Sequence, residues 1–205
     1  IDDLLTNLAF DTIYHEHLSY WSSYPLSLAA EKAGLVVGDI ELLTVHGGSR
    51  RYWLQPRLAP TEAFVPAPPV FDTHDTQPYQ RFAGRVTQHV AAVSDKQNTC
   101  RAEGQRLWAF GASAKGTVML NTLRAHGNTV WPECILDDAP TKQGRHSPGL
   151  HLPIYAPVWM QQLHTDPVVL WLLSWNCATD LMDRARHLGF KGTFLITSPT
   201  VQVLD

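Results

Sequence analysis

Short apolar runs alternate with helix-like segments in the second half of the chain. The apolar runs cover residues 107–110, 129–136, 168–174 and 193–197, and apolar residues recur at helical intervals in residues 113–125, 158–163 and 179–188. Because this alternation requires crossover connections between strands, it predicts a parallel sheet with helices on both faces. We therefore expect an α/β, Rossmann-like domain with a mostly parallel sheet from residue 104 onward.

The first half of the chain has a different pattern. A helical repeat of leucine and alanine begins after Ser22, which is a suitable cap, and ends at Gly34. The extended runs at residues 35–45 and 49–55 flank a glycine pair, which predicts a β-hairpin. Residues 2–8 are too few to classify. A helix and a hairpin are thus expected before the Rossmann-like domain.

A proline-rich stretch separates the two halves. Six of the 14 prolines fall in residues 56–78 without periodicity, which is typical of a linker or a long surface segment. Apolar residues then recur at helical intervals from Tyr79, and the predicted helix runs to Gly104. The chain accordingly divides into three parts. Residues 1–55 form a segment with the helix, the hairpin and the candidate catalytic motif described below, and residues 56–103 form a linker with a connecting helix. Residues 104–205 form the Rossmann-like domain.

Composition and charge argue against several kinds of binding partner for this protein. The net charge of −3 and the isoelectric point near 6.4 give no electrostatic reason to expect nucleic acid. The longest apolar run, residues 168–173, is too short to cross a bilayer. Cys100, Cys134 and Cys177 are odd in number and lack CxxC spacing, which argues against a disulfide framework and a structural zinc site. We expect a cytoplasmic protein with mostly buried cysteines and neither nucleic acid nor membrane as a partner.

The densest group of reactive side chains follows Phe10, near the start of the chain. Four consecutive residues can each donate, accept or carry a proton: Tyr14, His15, Glu16 and His17. Histidine titrates near neutral pH, and a neighbouring carboxylate can orient its ring, so these residues suit acid–base catalysis. The alternative is a hydrogen-bonded structural segment at a domain junction. A metal site on His15 and His17 lacks a clear third ligand, and we predict no metal.

A glycine-containing loop lies where the first apolar run of the second half gives way to a helix. Small residues let a ligand approach the backbone, and a helix start favours an anion; the residues concerned are Gly111, Ala112, Ser113, Lys115 and Gly116. Asp137 ends the next apolar run, about where α/β nucleotide folds place a carboxylate on a ribose. The loop lacks the three-glycine fingerprint of dinucleotide-binding proteins. Nucleotide binding and a merely tight strand–helix turn both stay open.

Two further groups lie at the ends of predicted strands. Trp175 and Asn176 follow the run at residues 168–174, which places them at the carboxyl edge of a parallel sheet, where ligands bind. A tryptophan in such a place more often closes the core. Residues 46–49, His-Gly-Gly-Ser, could offer backbone N–H groups to an oxyanion, although a glycine pair between strands is more often only a turn.

Six motifs follow one another along nearly the whole chain. They are Phe-Asp-Thr-Ile-Tyr-His-Glu-His-Leu-Ser-Tyr, His-Gly-Gly-Ser, Gly-Ala-Ser-Ala-Lys-Gly, Leu-Asp-Asp-x-x-x-Lys-x-Gly, Pro-Gly-x-His-x-Pro-Ile and Trp-Asn. In this order they resemble the motifs of the S-adenosyl-L-methionine-dependent sugar C-methyltransferases. Enzymes of that family methylate C-3 of nucleotide-linked 4-keto deoxysugars.

The resemblance implies a role for each residue of the first motif. His17 is expected to be the general base that removes the C-3 proton of the keto sugar. Tyr14 and Glu16 are expected to position or assist it, with His15 in the same catalytic group. The neighbouring C-4 ketone acidifies the proton because its removal gives an enolate, which attacks the methyl group of S-adenosyl-L-methionine. This step requires no metal.

The resemblance also implies that the C-terminal domain helps to hold the nucleotide-linked keto sugar. The expected substrate contacts are Gly111, Ala112, Ser113, Lys115, Gly116, Asp137, Lys142 and Asn176. The family has a small zinc-binding domain and a domain that binds S-adenosyl-L-methionine before this region, and the chain begins with Ile1 rather than methionine. We therefore expect both domains upstream, the cofactor bound mainly there, and this chain inactive alone.

Two alternatives stay open from the sequence. One is a non-catalytic sugar-nucleotide-binding module that works with a partner chain. The other is a nucleotide-dependent oxidoreductase built on the glycine loop, against which the missing glycine fingerprint weighs. Ser174 stands where the family usually has proline, and Cys177 where it usually has an aromatic residue. These departures put the exact substrate in question more than the fold.

Overall fold

A computed structural model of the chain describes residues 1–45, 48–57, 75–162 and 167–205. The α-helices are α1 (Asp2–Thr6), α2 (Ser23–Lys32), α3 (Gln77–Ala102), α4 (Ala114–Ala125) and α5 (Ala178–His187). The strands are β1 (Leu35–Leu43), β2 (Ser49–Pro56), β3 (Arg106–Phe110), β4 (Ile135–Leu136), β5 (Ile154–Tyr155), β6 (Val168–Leu172), β7 (Thr193–Ile196) and β8 (Gln202–Leu204). Short 3-10 turns form at Phe10–Thr12, Pro157–Gln162 and Trp175–Cys177.

The chain forms two compact units. The first comprises Ile1–Ala9 and His15–Phe82, and the second comprises Phe10–Tyr14 and Ala83–Asp205. Compactness alone does not show which parts fold independently. The three-part division of the sequence therefore stays a prediction.

The second unit is built on a six-stranded sheet with the strand order β5-β4-β3-β6-β7-β8. Every neighbouring pair is parallel except β7 and β8, which are antiparallel. Counted along the chain, this is the 3-2-1-4-5-6 order of a doubly wound fold, whose faces are flanked by helices. The predicted Rossmann-like α/β architecture, preceded by a helix and a hairpin, is confirmed.

The centre of this sheet is apolar on both faces. All five residues of β6 are buried, and so are the last four residues of β3. Strands covered on both sides read as continuous apolar runs rather than as alternating ones, which explains why the sequence pattern found them. The one polar atom of Trp171, its indole N–H, donates to the Thr197 hydroxyl at 3.1 Å and is thereby satisfied.

Three predictions for the second unit need correction. The run at residues 129–136 forms a strand only at Ile135–Leu136, and Pro132 within it has no N–H for a ladder. The helix predicted at residues 158–163 is a 3-10 turn over Pro157–Gln162, and Leu163 lies outside the described residues. The pattern also missed β5 and β8, because two and three residues are too few to show a period.

The first unit holds the predicted helix and hairpin. Strands β1 and β2 pair antiparallel, with a bulge between Val37 and Ile40. The Arg50 guanidinium donates to both carboxyl oxygens of Asp3 at 2.6 and 2.8 Å, and it holds the pKa of that carboxyl below its usual value. Asp3 belongs to α1, the segment that the sequence left unclassified. Gly47 of the predicted Gly-Gly turn and the preceding His46 lie outside the described residues, and so do residues 58–74 of the predicted linker.

None of the helices in the described ranges is both long enough and apolar enough to cross a membrane.

Replacement of Gly192 by alanine should destabilise the second unit. A Cβ at this position would overlap the backbone carbonyl oxygen of Val168, which belongs to β6 and cannot rotate away. We expect Gly192→Ala to lower the free energy of unfolding by about 1–3 kcal/mol in urea denaturation. Gly84→Ala on α3 is the matched control: nothing lies within 4 Å of its Cβ, and the gain in helix propensity should stabilise by about 0.5–1 kcal/mol. Equal stability of the two variants would contradict the packing argument.

Thiol labelling should distinguish the three cysteines. Cys100 and Cys134 are buried as predicted, whereas Cys177 is exposed. Burial raises the pKa of Cys100, and it raises the pKa of Cys134 to about 12, so little reactive thiolate forms at either. We expect iodoacetamide to alkylate only Cys177 of the three in native protein at neutral pH, and all three in urea, by peptide mass mapping. Rapid native labelling of Cys134 would show that the strand region opens readily.

Candidate active site

The register of the parallel sheet brings three loop starts together at its carboxyl edge. The strand ends Phe110, Leu136 and Leu172 lie side by side, because Phe110 is opposite the other two. In open α/β sheets ligands bind at this edge, at the point where the strand order reverses. Here the reversal lies between β3 and β6. The loops that follow these strands therefore form the candidate site of the second unit.

Asp137, directly after β4, stabilises the glycine loop by hydrogen bonds to its backbone. Its Oδ2 accepts a hydrogen bond from the Ala112 N–H at 2.7 Å, and its Oδ1 accepts one from the Ala139 N–H at 2.8 Å. The Lys142 ammonium donates to the same Oδ2 at 3.1 Å and to the Ala112 carbonyl at 2.9 Å. The sequence predicted that Asp137 meets a ribose, but its side chain is only 10% exposed and both oxygens are engaged within the chain. Its contact with a ligand stays a prediction.

The start of α4 is a capped and closely packed helix end. The Ser113 hydroxyl accepts a hydrogen bond from the Gly116 N–H at 3.1 Å, and the Ser113 carbonyl accepts one from the Thr117 N–H at 2.9 Å. A Cβ at Gly116 would lie 2.7 Å from the Cβ of Leu173. Glycine is therefore needed for α4 to pack against the end of β6, independently of any ligand.

Gly111 and Ser174 meet at the strand-order reversal. Gly111 has φ +93°, and a Cβ there would lie 2.5 Å from the Ser174 hydroxyl, so only glycine fits. The Lys115 ammonium lies 4.9 Å from the ring centre of Trp175, within the range of a cation–π interaction. Asn176 is half-buried in the same 3-10 turn as Trp175. These predicted residues thus share one region of the second unit.

The histidine motif, which we define as residues 10–20, begins in a buried turn and continues into an exposed segment. Phe10 and Asp11 are 5% and 2% exposed in the turn that packs on α4. Tyr14 is half-buried, and the next three residues are exposed: His15, Glu16 and His17. The His17 ring lies edge-on to Tyr20, with ring centroids 6.4 Å apart. Tyr14 belongs to the second unit, and the other three belong to the first.

A hydrogen bond connects the buried turn to the end of β6. The Trp175 indole N–H donates to Asp11 Oδ2 at 2.5 Å, across 164 positions of sequence. The other carboxyl oxygen, Asp11 Oδ1, is buried and has no hydrogen-bond partner in the described part of the chain. Sequence reasoning missed this pair, because no local pattern signals a contact between residues so far apart.

His89 on α3 lies beside the same turn. Its ring meets Phe10 edge-on, with centroids 6.1 Å apart, and its Nε2 is buried. Burial lowers the pKa of His89, against the opposing effects of the Thr197 backbone and of the charge on Asp11. Burial thus disfavours the charged form of this imidazole. No pattern in the sequence predicts this contact, since His89 lies on a helix remote from the motif.

A cavity of about 230 Å³ opens beside the glycine loop. Ala112 and Ser113 form part of its wall, and three nitrogen-bearing side chains line it as well: Lys142, Arg145 and His146. Positive charge on a concave surface favours an anionic ligand. Arg145 and His146 were missed from the sequence, although they directly follow the Leu-Asp-Asp-x-x-x-Lys-x-Gly motif, and that position was the available signal.

The eight predicted substrate contacts lie beyond the strand ends at one edge of the sheet, in loops, in a 3-10 turn or, for Lys115 and Gly116, in the first turn of α4. They are Gly111, Ala112, Ser113, Lys115, Gly116, Asp137, Lys142 and Asn176. Of the predicted catalytic group, only Tyr14 belongs to this unit. Across the four described ranges, no group of three His, Cys, Asp or Glu residues is arranged to hold a metal ion.

Comparison with known proteins gives the family. The family of the C-methyltransferase C-terminal domain matches residues 44–199. The C-methyltransferase NovU of Streptomyces niveus is 30% identical over 210 residues, which cover 99% of this chain and 49% of that protein. The chain therefore spans about half the length of the curated relative that it matches. On both findings, the chain belongs to the C-methyltransferase C-terminal domain family.

Proposed function

We propose that this chain carries the general base of an S-adenosyl-L-methionine-dependent C-methyltransferase, and that the whole enzyme methylates C-3 of a nucleotide-linked 4-keto deoxysugar. Family membership supports methyl transfer to carbon. The observation that carries the proposal is the contrast within the histidine motif, where a buried turn is followed by exposed His15, Glu16 and His17. Reactive groups next to an anchored turn can meet a substrate while their chain stays in place.

The proposed chemistry begins with removal of a proton from carbon. When the C-3–H bond breaks, its electron pair moves towards the C-4 ketone, and the product is an enolate. His17 takes the proton on an imidazole nitrogen, and Tyr14 and Glu16 orient the ring or assist the transfer. Histidine suits this role because imidazole exchanges protons near neutral pH.

S-adenosyl-L-methionine supplies the methyl group in this proposal, but the glycine loop of this chain does not fit its adenosine. The loop groups that would meet a ribose are the Ala112 N–H and the Asp137 carboxyl, and they hydrogen-bond to each other. The Lys142 ammonium also donates a hydrogen bond to the Asp137 carboxyl. A nucleoside would have to break these bonds to bind there. We therefore assign the cofactor to a domain outside this chain, in line with the relative that is twice as long.

The nucleotide of the substrate is proposed to bind at the cavity beside Lys142. Its phosphates are anionic, and Lys142 and Arg145 offer positive charge on the cavity wall. A guanidinium can pair with two phosphate oxygens at once, which favours Arg145 as a direct contact. In this arrangement Asp137 acts through Lys142, while Ala112 and Ser113 form the wall. Gly111, Lys115, Gly116 and Asn176 stay proposed contacts beside the strand-order reversal.

Replacement of His17 in the full-length enzyme tests the proposed base. In D₂O, wild-type enzyme is expected to exchange the C-3 hydrogen of the keto-sugar nucleotide for deuterium, followed by mass spectrometry. His17→Ala should lower the exchange rate by about 100-fold or more, the usual contribution of a positioned base. His187→Ala, exposed on α5, serves as the control and should exchange at the wild-type rate. Undiminished exchange in His17→Ala would overturn the base assignment and favour a non-catalytic binding module.

Replacement of Arg145 tests the nucleotide site. We expect Arg145→Ala to weaken binding of thymidine diphosphate to the full-length protein by about 10- to 100-fold, since a charge-assisted hydrogen bond contributes about 1.5–3 kcal/mol. Isothermal titration calorimetry at two salt concentrations measures the change. Lys191→Ala removes one positive charge from an exposed position outside the cavity and should leave the affinity within twofold. Equal losses in the two variants would indicate a general effect of net charge and no site at Arg145.

A further inference from the structure

The first turn of the histidine motif, Phe10–Thr12, is held within the second unit. Phe10 and Asp11 are almost completely buried there, and the Ile13 N–H donates to the Phe10 carbonyl at 3.0 Å. Tyr14 follows Asp11 by three residues, so their Cα atoms are within about 11 Å even if the chain between them is fully extended. Whatever holds Asp11 in place therefore limits where Tyr14 can be.

Asp11 accepts a hydrogen bond from the side chain of Trp175. The Trp175 indole N–H, which can donate but not accept, meets its Oδ2, and Oδ1 stays buried without a partner in the described residues. A buried polar atom without a hydrogen bond costs about 1–3 kcal/mol. An apolar side chain in the turn would avoid this cost. Stability therefore does not account for a buried carboxyl at this position, and a functional role is the alternative.

Trp175 is itself fixed at the carboxyl edge of the sheet. It follows β6 by three residues, directly after Ser174, which contacts Gly111 so closely that no side chain fits between them. The Lys115 ammonium lies over its indole ring at 4.9 Å. The indole N–H thus presents a donor of defined position, set by the sheet and by α4, to the turn that begins the motif.

We propose that Asp11 and Trp175 are positioning residues for the reaction, which act through Tyr14. Their hydrogen bond fixes the turn before Tyr14 at the sheet edge, and neither residue contacts the reacting atoms. The assignment rests on the proposed function, because it takes proton removal from the substrate as the step that suffers when the bond is lost. Nothing in the family match or in the related protein's name assigns a role to either residue.

Variants of the full-length enzyme separate this role from general stability. Trp175→Phe keeps an aromatic ring beneath Lys115 but removes the donor. We expect its kcat for C-3 deuterium exchange to fall about 10-fold, with KM within twofold of wild type, because orientation and not affinity is lost. The kcat of Asp11→Ala should fall by a similar factor. Asp11→Asn keeps an acceptor oxygen for the indole and should recover exchange to within about threefold of wild type.

Trp131→Phe is the matched control. Trp131 is also half-buried in the second unit but lies outside the motif and its contacts, so its kcat should be unchanged. A double variant, Asp11→Ala with Trp175→Phe, should be no slower than either single variant, because both remove one interaction.

The outcomes distinguish this proposal from the one on which it rests. Wild-type enzyme that shows no exchange would overturn the proposed function and this assignment with it. Wild-type exchange together with an unchanged kcat in folded Trp175→Phe would overturn only the positioning role. Additive losses in the double variant, or an Asp11→Asn variant as slow as Asp11→Ala, would also contradict it. Circular dichroism melting curves confirm that each variant is folded at the assay temperature.

Discussion

Parallel pairing of β3 with both β4 and β6 determines where the loops of the second unit can lie. The chain must leave β3 beside Ser174, which leaves no room for a side chain at Gly111, and α4 must then pack on Leu173, which excludes one at Gly116. The end of β4 is in register with the end of β3, so Asp137 can reach the Ala112 N–H. Packing of the sheet thus accounts for both glycines of the loop and for the position of Asp137 without a ligand. Only side chains with no such packing role can indicate a ligand.

Two buried aspartates illustrate this distinction. Asp137 receives hydrogen bonds from two backbone N–H groups and from Lys142, so the cost of its burial is compensated. Asp11 accepts a hydrogen bond from Trp175, and its other carboxyl oxygen has no partner among the described residues. Desolvation of a carboxyl is costly unless its oxygens are bonded. The fold therefore accepts a cost at Asp11 that it avoids at Asp137, which is the pattern expected where position matters more than stability.

The sequence predicted the elements whose signal is local. Strands β3 and β6 are continuous apolar runs, α4 has a serine cap and a helical repeat, and their order along the chain was enough to place the glycine loop and Trp175 at one edge. The short edge strands β5 and β8 carry no period, and they form because a neighbouring strand is already there. The inward orientation of Asp137 and the contact between Asp11 and Trp175 depend on tertiary approach, which no spacing in the sequence encodes.

Anchoring the motif at one end has different consequences for its members. Fixing the backbone of each residue costs about 1–2 kcal/mol in conformational entropy, and a side chain loses rotamer freedom as well. Tyr14 is three residues from Asp11 and half-buried, so much of this cost is met when the chain folds. His17 is six residues away and exposed, and its ring lies edge-on to Tyr20, so its position depends less on the buried turn. The proposed effect of Asp11 and Trp175 on the reaction should therefore act on Tyr14 more directly than on His17.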